Sequence, residues 1–354
     1  MSDSIVANPF AGKSVLLTGH TGFKGSWLTL MLRELGASVT GYALAPPTVP
    51  SHFDLADIKG ALARHVEADL LDRSTLEAVV RETKPDVILH LAAQSVVKTG
   101  YAQPFDTYLA NVMGTASLLD AVCKVGRPCV VVVATTDKVY ENREHVWGYR
   151  ECDPLGGHDP YSASKAACDL LTTSYRKSFF PPDRIAEHGV KLATVRAGNV
   201  IGGGDFKSFA LIPDLMRALH KGEPMQVRSP RSIRPWQHVL DCLDGYLALA
   251  GKMLVSDDPA WCDAWNFGPQ PGNEWQVHEV VTAMTNEWNR DQPNGSAGWI
   301  DASDPDQPHE AGVLRLSIDK ATWELGWQPK WGVDEAIAQT VAWYRAWSCG
   351  EPLT

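Results

Sequence analysis

The stretch Thr18-Gly19-His20-Thr21-Gly22-Phe23-Lys24-Gly25 decides the fold. Before it, Ser14–Thr18 (SVLLT) is a short apolar run of the kind buried on both faces of a parallel sheet. After it, Trp27, Leu28, Met31 and Leu35 recur at helical spacing, and Gly36 closes the helix. Gly19 and Gly22 let the backbone turn and approach a pyrophosphate, while Gly25 lets helix pack on strand. The helix N-terminus then offers N–H groups and a positive dipole end to phosphates.

The same alternation continues outward. Ser38–Ala43, Asp86–Leu91, Pro128–Thr135 and Leu192–Arg196 read as strands. Arg73–Thr83 reads as a helix with Asp72 as N-cap, and Pro104–Val125 and Tyr161–Phe179 as longer helices. Strands alternating with helices imply a doubly wound α/β fold with a parallel sheet, followed by a smaller C-terminal lobe. Residues 11–197 are expected to form the dinucleotide domain, with segments around 236–268 returning to it. Residues 198–235 and 269–350, rich in Gly, Pro and Trp, are expected to form a substrate lobe.

The 354 residues carry 44% hydrophobic side chains, enough for such a core. The net charge of -10 argues against nucleic acid or an anionic membrane as partner. The seven cysteines include no CxxC pair, so reduced thiols and no structural metal are expected. The first ten residues lack a basic segment followed by an apolar one, and apolar runs such as Cys129–Ala134 are far too short to span a bilayer. A cytoplasmic protein is the expectation.

Tyr161 and Lys165 stand four residues apart, on one face of their helix. An ammonium beside a phenol favours the phenolate, which suits a base. The valine-rich strand before them ends in Thr135-Thr136-Asp137-Lys138, and strand C-termini line the ligand crevice of a doubly wound sheet. Thr136, Asp137, Lys138, Tyr161 and Lys165 therefore converge on one edge as the candidate catalytic set. The region after the second strand, Gly41-Tyr42-Ala43-Leu44-Ala45-Pro46, has neither an acid for a ribose nor a base for a 2′-phosphate. Residue chemistry alone leaves NAD and NADP open. Asp69-Leu70 reads equally as an adenine contact or a surface turn.

These motifs, with His90-Leu91-Ala92-Ala93-Gln94, Arg196-Ala197-Gly198-Asn199-Val200-Ile201-Gly202, Arg234-Pro235-Trp236-Gln237-His238-Val239 and Leu325-Gly326-Trp327-Gln328-Pro329, resemble the extended short-chain dehydrogenases that act on nucleotide sugars. The resemblance spans roughly residues 13–345. Within that family, Gly19–Trp27, Thr136–Tyr140 and Arg234–Val239 are most similar to the 4,6-dehydratases of CDP-glucose. The dTDP-glucose dehydratases carry Glu where Lys138 stands. A 4-epimerase or a dehydratase for another nucleotide is the alternative, and a dinucleotide-binding regulator without turnover a remote one.

The resemblance implies NAD as cofactor and oxidation, elimination and reduction within one sugar. Tyr161 would take the C4 hydroxyl proton with Thr136 beside it, Lys138 the C5 proton, and Asp137 would protonate the leaving C6 hydroxyl. An acid and a base side by side need proton affinities pushed apart. Gly19, His20, Gly22, Phe23, Lys24, Gly25, Asp69, Leu70, Leu91, Ala92 and Ala93, with Tyr161 and Lys165, are the expected cofactor contacts. Gln94, Ser95, Asn199, Arg234 and Trp236 are the expected substrate contacts. Of these, Arg234 could instead bridge the lobes and Trp236 fill one. Lys98 and Tyr101 lie at the site edge or on a solvated loop. The helices Pro104–Val125 and Tyr161–Phe179 resemble the family's four-helix dimer interface, which implies a homodimer or homotetramer.

Overall fold

The computed structural model describes residues 8–272, 274–290, 298–303 and 312–353. Strands β1 (Ser14–Thr18), β2 (Ser38–Ala43), β3 (Arg64–Glu67), β4 (Val87–His90), β5 (Cys129–Ala134), β6 (Val190–Ala197) and β7 (Ala264–Phe267) form one parallel sheet. Its order is β7-β6-β5-β4-β1-β2-β3. β1 lies between β2 and β4, so the chain leaves β1 in one direction and later returns on the other side. The loops after β1 and β4 diverge there and open a crevice at the strand C-termini.

Helix α1 (Phe23–Glu34) covers one face, and α2 (Arg73–Thr83) and α3 (Gly114–Val125) pack together on the other. Asp72 caps α2 as expected, its carboxylate accepting from Thr75 N at 3.1 Å. Helix α4 (Pro160–Ser178) starts on Pro160 behind an Asp159 cap. The expected helix from Pro104 to Val125 is widened by a π turn at Leu109–Met113. Within that turn the Asn111 carbonyl accepts from Thr115 Oγ1 and from Cys168 Sγ. The π turn adds a residue without ending the helix, so hydrophobic spacing does not betray it.

The second half of the chain contributes to two cores. Helix α5 (Leu211–Lys221), α7 (Val277–Asn289) and α8 (Val333–Ser348) share a separate core with Ile201, Phe206, Val227 and Trp236. Helix α6 (Val239–Val255) belongs to the sheet, through Leu243, Tyr246 and Leu249. So do Ile318, Ala321, Leu325 and Trp327, which sequence had assigned to the second lobe. The ring of Trp327 meets Phe267 edge to face at 4.9 Å, and its Nε1 donates to Asp244 at 3.1 Å. Through Ser317 and Lys320, bonded to Asn266 and Ala264, this segment lies along the β7 edge, beyond which no further strand pairs among the described residues. Among the described residues no helix is long and apolar enough to cross a membrane, and no cluster of metal ligands occurs.

Trp265 in β7 is fully buried. Trp265→Ala should lower the unfolding free energy by about 3–5 kcal/mol, read as a drop in urea midpoint. A midpoint unchanged from the parent would show that the β7 edge contributes little to the main core.

Candidate active site

The crevice at the strand ends is an open cleft of about 2270 Å3. That exceeds the roughly 300–1,000 Å3 of a drug-sized pocket and suits two extended ligands end to end. One wall is the loop between β1 and α1. A Cβ on Gly25 would stand 2.1 Å from the Gly19 carbonyl oxygen, and one on Gly19 would stand 2.7 Å from Ala92 N. Both neighbours are backbone and cannot rotate aside, so only glycine fits at either place. No side chain caps α1, whose N-cap is Gly22. Its first N–H groups are left for a ligand.

Gly19, Gly22, Phe23, Lys24, Gly25, Asp69, Leu70, Leu91, Ala92 and Ala93 all line this cleft. His20 does not. It is fully buried, its ring lies against Gly41, and its Nε2 meets His65 Nδ1 at 2.8 Å. Burial and the neighbouring His65 lower its pKa to about 4. His20 therefore braces the loop against β2 from behind, and its ring is no ligand contact. Asp69 Oδ1 accepts from Leu71 N at 2.9 Å, and Leu70 packs toward Gly114, so that turn is held firmly in shape.

The opposite wall carries the candidate catalytic groups. After β5 the chain makes a single 3-10 turn, Asp137–Val139, capped by Thr136. Thr136 Oγ1 donates to Asp137 Oδ1 at 2.9 Å. Asp137 is 2% exposed, and its Oδ2 has no hydrogen-bond partner among the described residues. Burial raises the Asp137 pKa, against the pull of Lys138, the Thr136 hydrogen bond, Arg234 and Lys24. Lys138 lines the cleft at the same turn and is less buried.

Tyr161 and Lys165 enter from α4. Burial raises the Tyr161 phenol, and a hydrogen bond with Thr136 opposes that rise. The ammonium of Lys165 donates to the Ala134 carbonyl at 2.7 Å, and burial lowers its pKa. Thr136 is the group that hydrogen-bonds the phenol, and Lys165 ties α4 to the end of β5.

The expected substrate contacts fall into two groups. Ser95, Asn199, Arg234 and Trp236 line the cleft. Arg234 is 4% exposed, close enough to Asp137 to act on its charge. Trp236 is buried and donates through Nε1 to the Trp275 carbonyl, so most of its ring fills the second lobe. Gln94 lines the cleft, but its Nε2 donates to Thr107 and its backbone N–H to Asn111 Oδ1. Its side chain holds its own loop in place. Lys98 and Tyr101 line the cleft too, with Lys98 Nζ 3.9 Å from the centroid of Phe209.

Several lining residues escaped the reading of the sequence, among them Phe209, Arg228 and Leu314. Asn111 also escaped it: buried in the π turn, it joins Gln94 to Ser164. Its place on the face toward α4 was the only signal, and helical spacing alone does not mark it.

A glycine loop at the sheet's crossing point, with a Tyr–Lys pair on the adjoining helix, defines the class of extended short-chain dehydrogenases and reductases. The chain belongs to the GDP-mannose 4,6 dehydratase family, whose model matches residues 16–340. It is 46% identical to a CDP-glucose 4,6-dehydratase of Salmonella typhimurium, over 98% of this chain and 94% of that one. It is 30% identical to a dTDP-glucose 4,6-dehydratase of Streptomyces antibioticus, over 96% and 95% of the two chains. Among solved structures, the dTDP-glucose 4,6-dehydratase DesIV of Streptomyces venezuelae, with NAD bound, superposes with a TM-score of 0.78 at 25% identity, covering 96% of this chain and 99% of that one.

The buried carboxyl of Asp137 has a measurable consequence. Its folded pKa lies above the unfolded value of about 3.9, so the native state holds a proton that the unfolded state releases. Its contribution to stability therefore falls as pH rises from the unfolded pKa through the folded one. Asp137→Asn should melt higher than the parent at neutral pH, with the gap closing as pH drops below about 4. A melting difference that does not change with pH would contradict the raised pKa.

Proposed function

We infer that the chain is an NAD-dependent hydro-lyase that converts CDP-D-glucose to CDP-4-dehydro-6-deoxy-D-glucose and water. The carrying observation is the Asp137–Lys138 turn, a buried acid beside a more open amine, on the same wall of the cleft as Tyr161. The 46% identity to a relative of that activity, over 98% of this chain, supports the nucleotide assignment.

The β1–α1 loop fits a dinucleotide: its glycines leave a cradle that any Cβ would fill, and its helix start is uncapped. Gly19, Gly22, Phe23, Lys24 and Gly25 would hold the pyrophosphate, Asp69 and Leu70 the adenine, and Leu91, Ala92, Ala93, Tyr161 and Lys165 the nicotinamide half. When bound, NAD takes the hydride from C4 of the sugar and returns it to C6.

The chain's own residues move the protons. Tyr161 Oη, ionised with the help of the Lys165 ammonium, takes the proton of the C4 hydroxyl, with Thr136 Oγ1 completing the hydrogen bond. The resulting 4-keto group acidifies C5. Lys138 Nζ, as the free amine, then removes the C5 proton, Asp137 Oδ2, kept protonated by burial, gives its proton to the departing C6 hydroxyl, and Lys138 returns a proton to C5 as hydride reaches C6. Asn199 and Arg234 bind the substrate diphosphate, with Arg234 also attracting Asp137. Ser95 and Trp236 border the sugar and base, and Gln94 supports them from its loop. The enzyme works in the cytoplasm as a homo-oligomer. The exposed Phe105, Tyr108 and Met113, with Leu170 on α4, supply an apolar surface for that association.

Incubation with NAD and a panel of nucleotide-diphospho-glucoses tests the assignment by product mass. Loss of one water from CDP-glucose alone is the expected result; a product of unchanged mass would point to an epimerase. Tyr161→Phe should lose most turnover and still bind NAD, which calorimetry checks. For Lys138→Met, turnover should fall by about 10²–10⁴-fold, and NADH should accumulate on the enzyme when CDP-glucose is added. A folded Lys138→Met enzyme of near-normal rate refutes the base assignment. Gly25→Ala should abolish NAD binding, measured by the same titration.

A further inference from the structure

Beneath the catalytic wall lies a buried ion pair that the proton transfers do not use. Asp169 is 0% exposed and Arg196 is 3% exposed. The guanidinium meets the carboxylate in a two-pronged contact, Nε to Oδ2 and Nη2 to Oδ1, both at 2.8 Å. Two charges taken this far from water are a poor source of stability, since desolvation offsets much of their attraction. What the pair does have is unusual connectivity.

Asp169 lies on α4, one turn beyond Lys165 and two beyond Tyr161, so it shares their face. Its carboxylate also accepts from Thr135 Oγ1 at 3.2 Å and Thr194 Oγ1 at 3.3 Å. Thr135 is the residue immediately before the Thr136–Asp137–Lys138 turn. On the other side, Arg196 Nη1 donates to Tyr140 Oη at 2.9 Å and to the Glu151 carbonyl at 3.0 Å. Tyr140 is the residue that caps the end of the same turn. Its own hydroxyl passes on to Asn266 Oδ1 at 2.7 Å. Both ends of the turn are therefore tied to one charge pair, and that pair rides on the helix that carries Tyr161.

We propose that Asp169 and Arg196, acting through Thr135 and Tyr140, position the Thr136–Asp137–Lys138 turn against Tyr161 and Lys165. The proposal rests on the dehydratase reading. In that reaction Tyr161 acts at C4, whereas Asp137 and Lys138 act at C6 and C5 of the same ring. The two sets come from separate elements, β5 and α4, and must hold their spacing through both steps. A planar, two-pronged contact fixes orientation as well as distance.

Tyr140→Phe tests this, because it keeps the ring stacked on Tyr149 and removes only the hydroxyl. With CDP-glucose the variant should lose about 10-fold or more in kcat and keep KM within about twofold, since the hydroxyl removed is bonded to Arg196 and Asn266 and the ring that lines the cleft is kept. The isotope effect on kcat from substrate deuterated at C5 should rise above the wild-type value, because a displaced turn moves both elimination groups but leaves Tyr161, the base of the C4 step, on its own helix. A variant that merely folds less well loses active enzyme and leaves the isotope effect unchanged; that result, or an unchanged kcat, overturns the proposal. If Tyr140→Phe does not fold, Thr135→Val decides by the same readouts. Failure of both to fold also overturns it, the network then holding the fold and not the turn. A wild-type protein inert toward CDP-glucose overturns the dehydratase reading itself. An active wild type with unchanged variants overturns only the positioning role.

Discussion

The backbone crossing at Gly19 is the constraint on which the rest depends. There the loop leaving β1 touches the loop leaving β4 so closely that a methyl group would sit 2.7 Å from Ala92 N. Gly25 extends the contact to the first turn of α1, where a Cβ would stand 2.1 Å from the Gly19 carbonyl. Neither overlap could be relieved by a rotamer change, because main-chain atoms are on both sides. The contact sets the depth of the crevice and the direction of α1. It also fixes where an anion can meet free N–H groups. The catalytic wall is then built at a fixed distance from it, on the next strands of the same sheet.

Fold and cofactor wall were legible because they rest on local signals. A run of valines marks β5, and the glycine spacing marks the crossing point. Tyr161 and Lys165 were legible because helical spacing puts them on one face. What sequence hid depends on residues far apart in the chain. The return of Ile318–Trp327 to the main core is decided by the open edge beside β7, and composition does not reveal it. The exclusion of the His20 ring from the cleft is decided by His65 and by the missing side chain at Gly41. The bond from Lys165 to the Ala134 carbonyl depends on how far α4 sits from β5. Arg196 belonged to a familiar segment, but its partner Asp169 lies on another element, and pairing across elements leaves no periodic trace.

The Asp137–Lys138 turn shows how neighbouring residues come to unequal surroundings. Lys138, Arg234 and Lys24 all favour an ionised Asp137, and Thr136 donates a hydrogen bond to it. Burial outweighs them, and the pKa rises. The balance turns on the 3-10 geometry, which rotates Asp137 inward beneath Gly198 while Lys138 faces the cleft. Were the turn extended, alternation would place the two side chains on opposite faces of the strand and only one could reach a sugar. The tight turn brings both to one ligand with unequal access to water. The inner group is thereby suited to hold a proton, so a difference in burial across a single turn gives two neighbouring side chains unequal surroundings.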